Sequence, residues 1–352
     1  MTEALPIRIK FIGRAASERV PDVWLRQLPG ANPLYRGCHF IFDVDAQDYD
    51  WLVVYDDLPA LPGERFSTRR IELACPRAHT MLLTMEPSSI KLYGSAFLRQ
   101  FGAVISSQEP EVLDHPGQIQ SQAGLRWYYG LGRNHMLSFD EMVKNPPLDK
   151  TRDISTVCSN KRQRHTLHNL RYDFTQELKA LLPDLDVFGH GVRDMDDKAE
   201  ALSPYRYHVA VENHLGDHHI TEKLPDCFLA CCLPFYFGAP NTADYFPKDS
   251  FIPIDIRDAK GAAQIIRTAI ANNEWEKRLP AILEARRLAM EEHGLFALVA
   301  REVSRLNALP CAPERGLLMS RRAARKANPM ASIPDATRVF LRKASAFFKA
   351  AQ

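Results

Sequence analysis

The sequence predicts an α/β protein built from two Rossmann-like units in tandem, each a parallel sheet covered by helices. Three observations predict it. Short β-branched and aromatic runs alternate with helical stretches in both halves of the chain. The 352 residues exceed what one hydrophobic core usually organises. A polar stretch at 142–153 with two prolines and no apolar period separates the two patterns and reads as a linker. The resulting division is 1–145, 150–310 and a tail at 311–352.

Composition fits this class, with 45% hydrophobic and 25% charged residues, as in a soluble globular chain. No run of eighteen apolar residues occurs, and the first thirty positions lack signal-peptide order, so a cytoplasmic location is expected. Seven cysteines without paired CxxC spacing argue against a disulfide framework or a structural zinc site. The formal charge of +2 hides an asymmetry. Residues 321–352 carry eight Lys/Arg and one Asp, a local +7, which leaves about −5 for residues 1–320. A nucleic-acid protein would carry its basic patch across the folded body, so no nucleic-acid partner is expected.

In the first half, strands are predicted at Ile7–Gly13, His39–Asp45, Trp51–Pro59, Thr80–Pro87 and Ala103–Gln108, and a helix at Lys91–Phe101 from the spacing of Leu92, Phe97, Leu98 and Phe101. In the second half, "DISTVCSN" is a strand and Arg164–Pro183 a helix. "LDVFGHG" and "YRYHVAVEN" are strands, "TEKLPDCFLACC" is a short helix and "LPFYFGAP" the next strand. Residues 260–307 are long helical sequence. Neither G-x-G-x-x-G nor G-x-x-x-x-G-K-[ST] occurs, which weakens dehydrogenase and kinase readings. A ligand is then expected in a cleft between the units, at the carboxyl ends of the strands.

The densest chemistry lies in "VENHLGDHHITEK" (Val211–Lys223). The strand delivers Glu212 and Asn213 to its carboxyl end, and a loop leads to Thr221 as the expected N-cap of a helix with Pro225 in its first turn. Free backbone N–H groups and Lys223 suit an anion such as a diphosphate. Glu222 suits a ribose diol, since a carboxylate accepts two hydrogen bonds. His218, His219 and Glu222 lack the i, i+4 histidine pattern of zinc enzymes, and the D-x-D runs at Asp43–Asp45 and Asp184–Asp186 are frequent by chance, so no metal is expected.

The run Y-R-Y-H-V-A-V-E-N-H-x6-T-E-K, followed by "CLPFYFGAPN" and "YFPKDSFIPIDI", resembles the donor-binding signature of the α-1,3/4-fucosyltransferases that use GDP-fucose, glycosyltransferase family 10. The separation from Glu212 to Lys223 agrees with the family's F-E-N and T-E-K elements, and the resemblance extends over roughly residues 155–260. It implies a GT-B type fold, two Rossmann-like domains facing across a cleft. It implies an inverting transfer of L-fucose to a glycan hydroxyl, in α-1,3/4 linkage, with no cofactor beyond the GDP-fucose donor. By the same resemblance, Arg171 and Lys223 hold the diphosphate, while Asn213, His219, Thr221 and Glu222 bind the nucleotide. "TMEPSSIKLYG" resembles the family's E-S-P segment, which makes Glu86 the expected general base, and Glu212 orients these groups or faces the sugar.

Val211 and His219 stand where the family has Phe and Tyr, which leaves open another donor such as GDP-mannose. A non-catalytic sugar- or nucleotide-binding module is the reading from another class, opposed by Glu86. Trp127 and Tyr128 suit either stacking on an acceptor sugar or packing. From Asp335 the tail places Phe340, Phe347 and Phe348 on one face with Arg338, Arg342 and Lys343 largely off it. That pattern suits peripheral contact with the inner membrane surface.

Overall fold

The computed structural model describes residues 5–14, 20–159 and 167–330. The chain divides into two compact units, Met1–Gly124 with Leu295–Gln352, and Leu125–Gly294. The break therefore falls before the stretch at 142–153, and the chain returns to the first unit for its last segment. Both units carry parallel sheets, the α/β architecture expected from the alternating pattern.

The first unit contains β1 (Ile7–Gly13), α1 (Val20–Leu25), β2 (Leu34–Tyr35), β3 (Cys38–Ile41), β4 (Trp51–Tyr55), β5 (Arg70–Glu72), β6 (Thr80–Leu83), α2 (Ser95–Leu98), β7 (Ala103–Ser106) and β8 (Gln118–Gln120). Its main sheet has the order β2-β3-β1-β4-β6-β7-β8, parallel except for the β2–β3 pair. Every residue of β4 is buried, as a central strand covered on both faces requires. Four predicted strands end earlier than expected, at Ile41, Tyr55, Leu83 and Ser106. Beyond β3, Asp43 turns the chain by accepting from the Asp45 N–H at 2.9 Å. Beyond β4, Asp56 takes a positive φ of 74°.

The helix predicted at Lys91–Phe101 shrinks to α2. Gly94 has φ 83°, and Tyr93 donates its hydroxyl to the Asp56 carboxylate at 2.7 Å while Lys91 pairs with the same carboxylate. These tertiary bonds hold residues 91–93 out of the helix that their spacing suggests.

The second unit contains α3 (Phe139–Lys144), β9 (Arg152–Val157), α4 (His168–Leu181), β10 (Asp186–Phe188), α5 (Ala199–Leu202), β11 (Tyr205–Val211), α6 (Lys223–Leu229), β12 (Leu233–Phe237), β13 (Ile252–Pro253), α7 (Ala259–Ala271) and α8 (Glu274–Glu291). Helix α3 starts ahead of the expected linker region and runs into it from a capping box, Ser138 with Glu141, a short-range signal that the apolar period does not reveal. The sheet order is β10-β9-β11-β12-β13, all parallel. Trp127 is 1% exposed within the core of this unit, which settles it as packing.

The helical sequence at 260–307 forms three helices. The first break is at Asn273, in the left-handed region with φ 52°. The second is near Gly294, where an added Cβ would meet the Met290 carbonyl at 2.8 Å. The third helix, α9 (Leu295–Asn307), packs Phe296, Val299 and Val303 against Ile9, Phe11 and Val53 of the first sheet. Then β14 (Leu317–Met319) pairs antiparallel with β5, and α10 (Arg321–Ala327) buries Ala323 and Ala324. Residues 311–330 are thus part of the first unit. The amphipathic tail face from Asp335 lies outside the described residues. Among the described residues no helix is long and apolar enough to cross a membrane.

Candidate functional site

In the second unit, β9 leads outward to β10 on one side, while β11 and β12 add on the other. The carboxyl ends of β9 and β11 therefore flank a topological switch point, where open α/β sheets bind ligands. A cavity of about 230 Å³ opens there. Val157 and Ser159 extend from β9 into its wall, Val211 and Asn213 from β11, and Glu222 and Lys223 from the start of α6. Strand β11 is buried on both faces, with Val209 and Val211 in one core cluster and Ala210 in another, so its polar Asn213 comes only past the strand end.

Four residues expected from the sequence line this cavity: Arg171, Asn213, Glu222 and Lys223. Arg171, on α4, donates from Nη1 to Asn213 Oδ1 at 2.7 Å and from Nη2 to the Val157 carbonyl at 3.2 Å. Its planar guanidinium is thereby locked against the strand ends. Lys223 donates from Nζ to Glu212 Oε2 at 3.0 Å, to Thr221 Oγ1 at 2.8 Å and to Glu222 Oε1 at 3.3 Å.

The other expected residues of this unit stand behind the wall. Glu212 is 0% exposed, and its carboxylate accepts from the Thr221 N–H at 2.9 Å and hydroxyl at 2.6 Å as well as from Lys223. Thr221 is not the N-cap. Glu222 occupies that position without a side-chain cap bond, and the Thr221 hydroxyl is committed to Glu212 instead of capping. Pro225 lies in the first turn as expected. His219 is buried with its ring edge-on to His214 at 5.1 Å. Gly238 packs close behind, where a Cβ would lie 2.1 Å from Tyr236 Oη and 2.8 Å from Glu212 Cγ. Only glycine leaves room for the Glu212 side chain there.

Lys198, His208 and Asp226 also line it and were not anticipated. Lys198 bridges two carboxylates, Asp226 at 2.9 Å and Glu222 at 3.6 Å. Asp226 is 1% exposed and accepts from the Tyr128 and Tyr129 N–H groups at 3.0 and 3.1 Å. Its place at i+4 from Glu222 and i+3 from Lys223 puts it on one helix face with them, a legible signal. Lys198 sits in the polar run "DMDDKAE" and carried none. Asn160, Lys161, Arg162 and Arg164 lie outside the described residues.

The electrostatics favour charge on Glu222 and Lys223, whereas burial pushes the Asp226 carboxyl up despite the Lys198 ammonium beside it. Burial opposes the Glu222 carboxylate, yet Lys223 and Lys198 outweigh it and hold its pKa well below the usual range. Burial likewise opposes the Lys223 ammonium, but Glu212 and Glu222 raise its pKa despite repulsion from Lys198 and Arg171. The site sets three cations, Arg171, Lys198 and Lys223, beside two carboxylates, Glu222 and Asp226, around one small cavity, so it offers both donors for an anion and acceptors for hydroxyl groups.

His219 and His208 behave oppositely, since burial depresses them from 6.5 to about 4 and about 3. As pH falls below 6.5 the unfolded chain takes up these two protons and the folded chain does not, so stability falls with pH. Between pH 7 and pH 5 the loss is expected to be about 3–4 kcal/mol, at roughly 1.4 kcal/mol per pKa unit for each ring. Denaturant midpoints at pH 7, 6 and 5 check it. His219→Gln should roughly halve the pH slope, and a flat profile would show that the rings are not held neutral by burial.

Glu86 belongs to the first unit, three residues past β6. It is half-buried, and its backbone carbonyl accepts from Gln108 Nε2 at 2.7 Å. It lines a separate cavity of about 670 Å³ within that unit. Among the described residues no group of three or more His, Cys, Asp or Glu side chains is placed to hold a metal ion.

Residues 147–275, which contain the whole of the switch-point cavity, match the model of the glycosyltransferase family 10 (fucosyltransferase) C-terminal domain. An alpha-(1,3)-fucosyltransferase of Helicobacter pylori is 32% identical over 69 residues, 20% of this chain and 14% of that protein. A 4-galactosyl-N-acetylglucosaminide 3-alpha-L-fucosyltransferase of Gorilla gorilla gorilla is 33% identical over 120 residues, 32% of this chain and 30% of its own. The chain thus spans a third or less of the length of these curated relatives. Among solved structures, an alpha1,3-fucosyltransferase aligns over 84% of this chain and 93% of its own, at 16% identity and a TM-score of 0.47. A DNA-modifying beta-glucosyltransferase aligns over 86% and 100%, at 10% identity and a TM-score of 0.46.

Proposed function

Because residues 147–275 form a glycosyltransferase family 10 (fucosyltransferase) C-terminal domain, we propose that the protein is an inverting glycosyltransferase that moves L-fucose from GDP-fucose to a glycan hydroxyl. The observation that carries this reading is the convergence of Arg171, Lys198 and Lys223 on one cavity at the switch point of the matched domain. Cations fixed before the reaction stabilise the diphosphate as negative charge develops on it.

In this reading Arg171 and Lys223 hold the diphosphate, Asn213 orients Arg171, and Glu222 takes the ribose hydroxyls. Glu212 is a positioning residue: its carboxylate is bound by Thr221 and Lys223, so it acts through the ammonium that it aims. His219 supports the same wall from behind. In the transfer, the acceptor oxygen forms a bond to the sugar C1 on the face opposite the phosphate. Its proton passes to the Glu86 carboxylate, and the C1–O bond to phosphate breaks with its electron pair leaving on GDP. No resident cofactor is required by this scheme.

A donor series tests it by thermal shift, since a ligand that binds the folded state raises its melting temperature. GDP and GDP-fucose are expected to raise it, GDP-mannose and uridine nucleotides less. Lys223→Ala should abolish the guanine-nucleotide shift. A larger shift with uridine nucleotides, or none with GDP, would overturn the assignment.

A further inference from the structure

The first unit has a switch point of its own. Strands β3 and β4 lie on opposite sides of β1, so the carboxyl ends of β1 and β4 open a crevice of the kind that holds ligands. The cavity of about 670 Å³ beside Glu86 sits there, with Arg14 from the end of β1 and Asp57 and Leu58 from the end of β4 in its lining. Its lining also draws on α10, through Arg321, Arg322 and Arg325. In all, seven Lys and Arg side chains line it against two carboxylates, Asp57 and Glu86.

Nearby carboxylates offset only part of this charge, with Asp56 shared between Lys91 and, at 4.0 Å, Arg14. Asp57 accepts from the N–H groups of Arg321 and Leu58 at 3.1 and 2.9 Å, and burial pushes its carboxyl up rather than favouring its charge. Lys91 is taken by Asp56. Arg65 and Arg322 lie over the same ring, Phe66, at 5.2 and 5.5 Å from its centre, two like charges drawn to one aromatic side chain. Arg321 is buried enough to lower its pKa, donates from Nη2 to the Leu92 carbonyl at 2.9 Å, and keeps a buried Nε without a hydrogen-bond partner. Holding like charges together in a concavity is unfavourable without a counter-ion. Phe66 and Ile90, 46% and 39% exposed, add apolar surface that the face of a sugar ring could cover.

We propose that this cavity binds the acceptor and that the acceptor is anionic, a sugar bearing a phosphate group that the α10 arginines and Arg65 recognise. This rests on the glycosyltransferase reading for the word acceptor, but the anion site itself does not. A concave site on a sheet switch point favours a discrete charged group over a flat membrane surface, whose contact would fall on the exposed outer faces of α10.

The test uses glucose 6-phosphate and glucose as probes on the full-length chain, by isothermal titration at low and physiological salt. Glucose 6-phosphate is expected to bind at least about tenfold more tightly than glucose, with the difference shrinking as salt screens the charges. Arg322→Ser with Arg325→Ser, two exposed positions, should remove that preference without changing the melting temperature. Lys223→Ala, shown by its melting curve to be folded at the titration temperature, should leave it intact. Equal binding of the two sugars overturns the proposal, as does a preference that survives the double variant or disappears in Lys223→Ala. Vesicles with anionic phospholipid supply the remaining arm: loss of vesicle binding in the double variant, with the phosphosugar preference unchanged, would assign these arginines to a membrane instead. If GDP fails to bind while the phosphosugar preference behaves as expected, the donor reading fails and the anion site stands.

Discussion

Converting Lys223 to methionine is expected to lower the unfolding free energy by about 3–5 kcal/mol, because it strands a buried carboxylate. Glu212 is 0% exposed and keeps only the Thr221 N–H and hydroxyl once the ammonium is gone. Methionine fills most of the lysine's stem volume, so the loss reports charge rather than a cavity. The double variant with Glu212→Gln is expected to recover at least half of the loss, since a neutral amide no longer needs the ammonium. Guanine-nucleotide binding should stay weak in both variants. Denaturant titration of the four members of this cycle measures the coupling. A cost under about 1 kcal/mol, with no recovery in the double variant, would mean that the Glu212–Lys223 pair does not hold this corner together.

Replacing Glu86 with glutamine is expected to lower kcat by about 100- to 10,000-fold, the range that a positioned general base contributes. Glutamine keeps the shape and removes the proton acceptor. The residues that line the switch-point cavity proposed to hold GDP all belong to the second unit, so GDP affinity should be unchanged. Single-turnover transfer, with GDP titrations on the same samples, separates the two effects. A variant that transfers within about threefold of the parent would place the base on another residue. One that loses GDP binding as well would show that Glu86 acts on the donor and not on the acceptor hydroxyl.

Much of the candidate site was legible because its parts are close in sequence. A strand that ends in Glu212-Asn213, a short loop and a helix opening on Glu222-Lys223 place their groups by local geometry alone. Thr221 shows where that reading stops, since its residue type suits an N-cap but a buried carboxylate nine residues away claims the hydroxyl. Lys198 shows the same limit more sharply. Nothing in "DMDDKAE" distinguishes it from a solvated lysine, and its role depends on β9 and β11 bringing α5 beside α6.

The amino-acid sequence alone determined the α/β class and the switch-point strand and helix, because each follows from periodicity, turn chemistry or spacing within about fifteen residues. Tertiary structure alone decided three things. Helix α9 leaves the unit that precedes it and fills the core of the first sheet, because Phe296 and Val299 find their apolar partners in strands nearly three hundred residues earlier. Lys91 and Tyr93 leave a well-spaced helix for the Asp56 carboxylate. The α10 arginines join the strand ends around Glu86, because β14 pairs with β5 and carries the helix there. In each case the deciding contact spans a sequence distance over which local pattern carries no information, and only burial or charge pairing in the folded chain selects it.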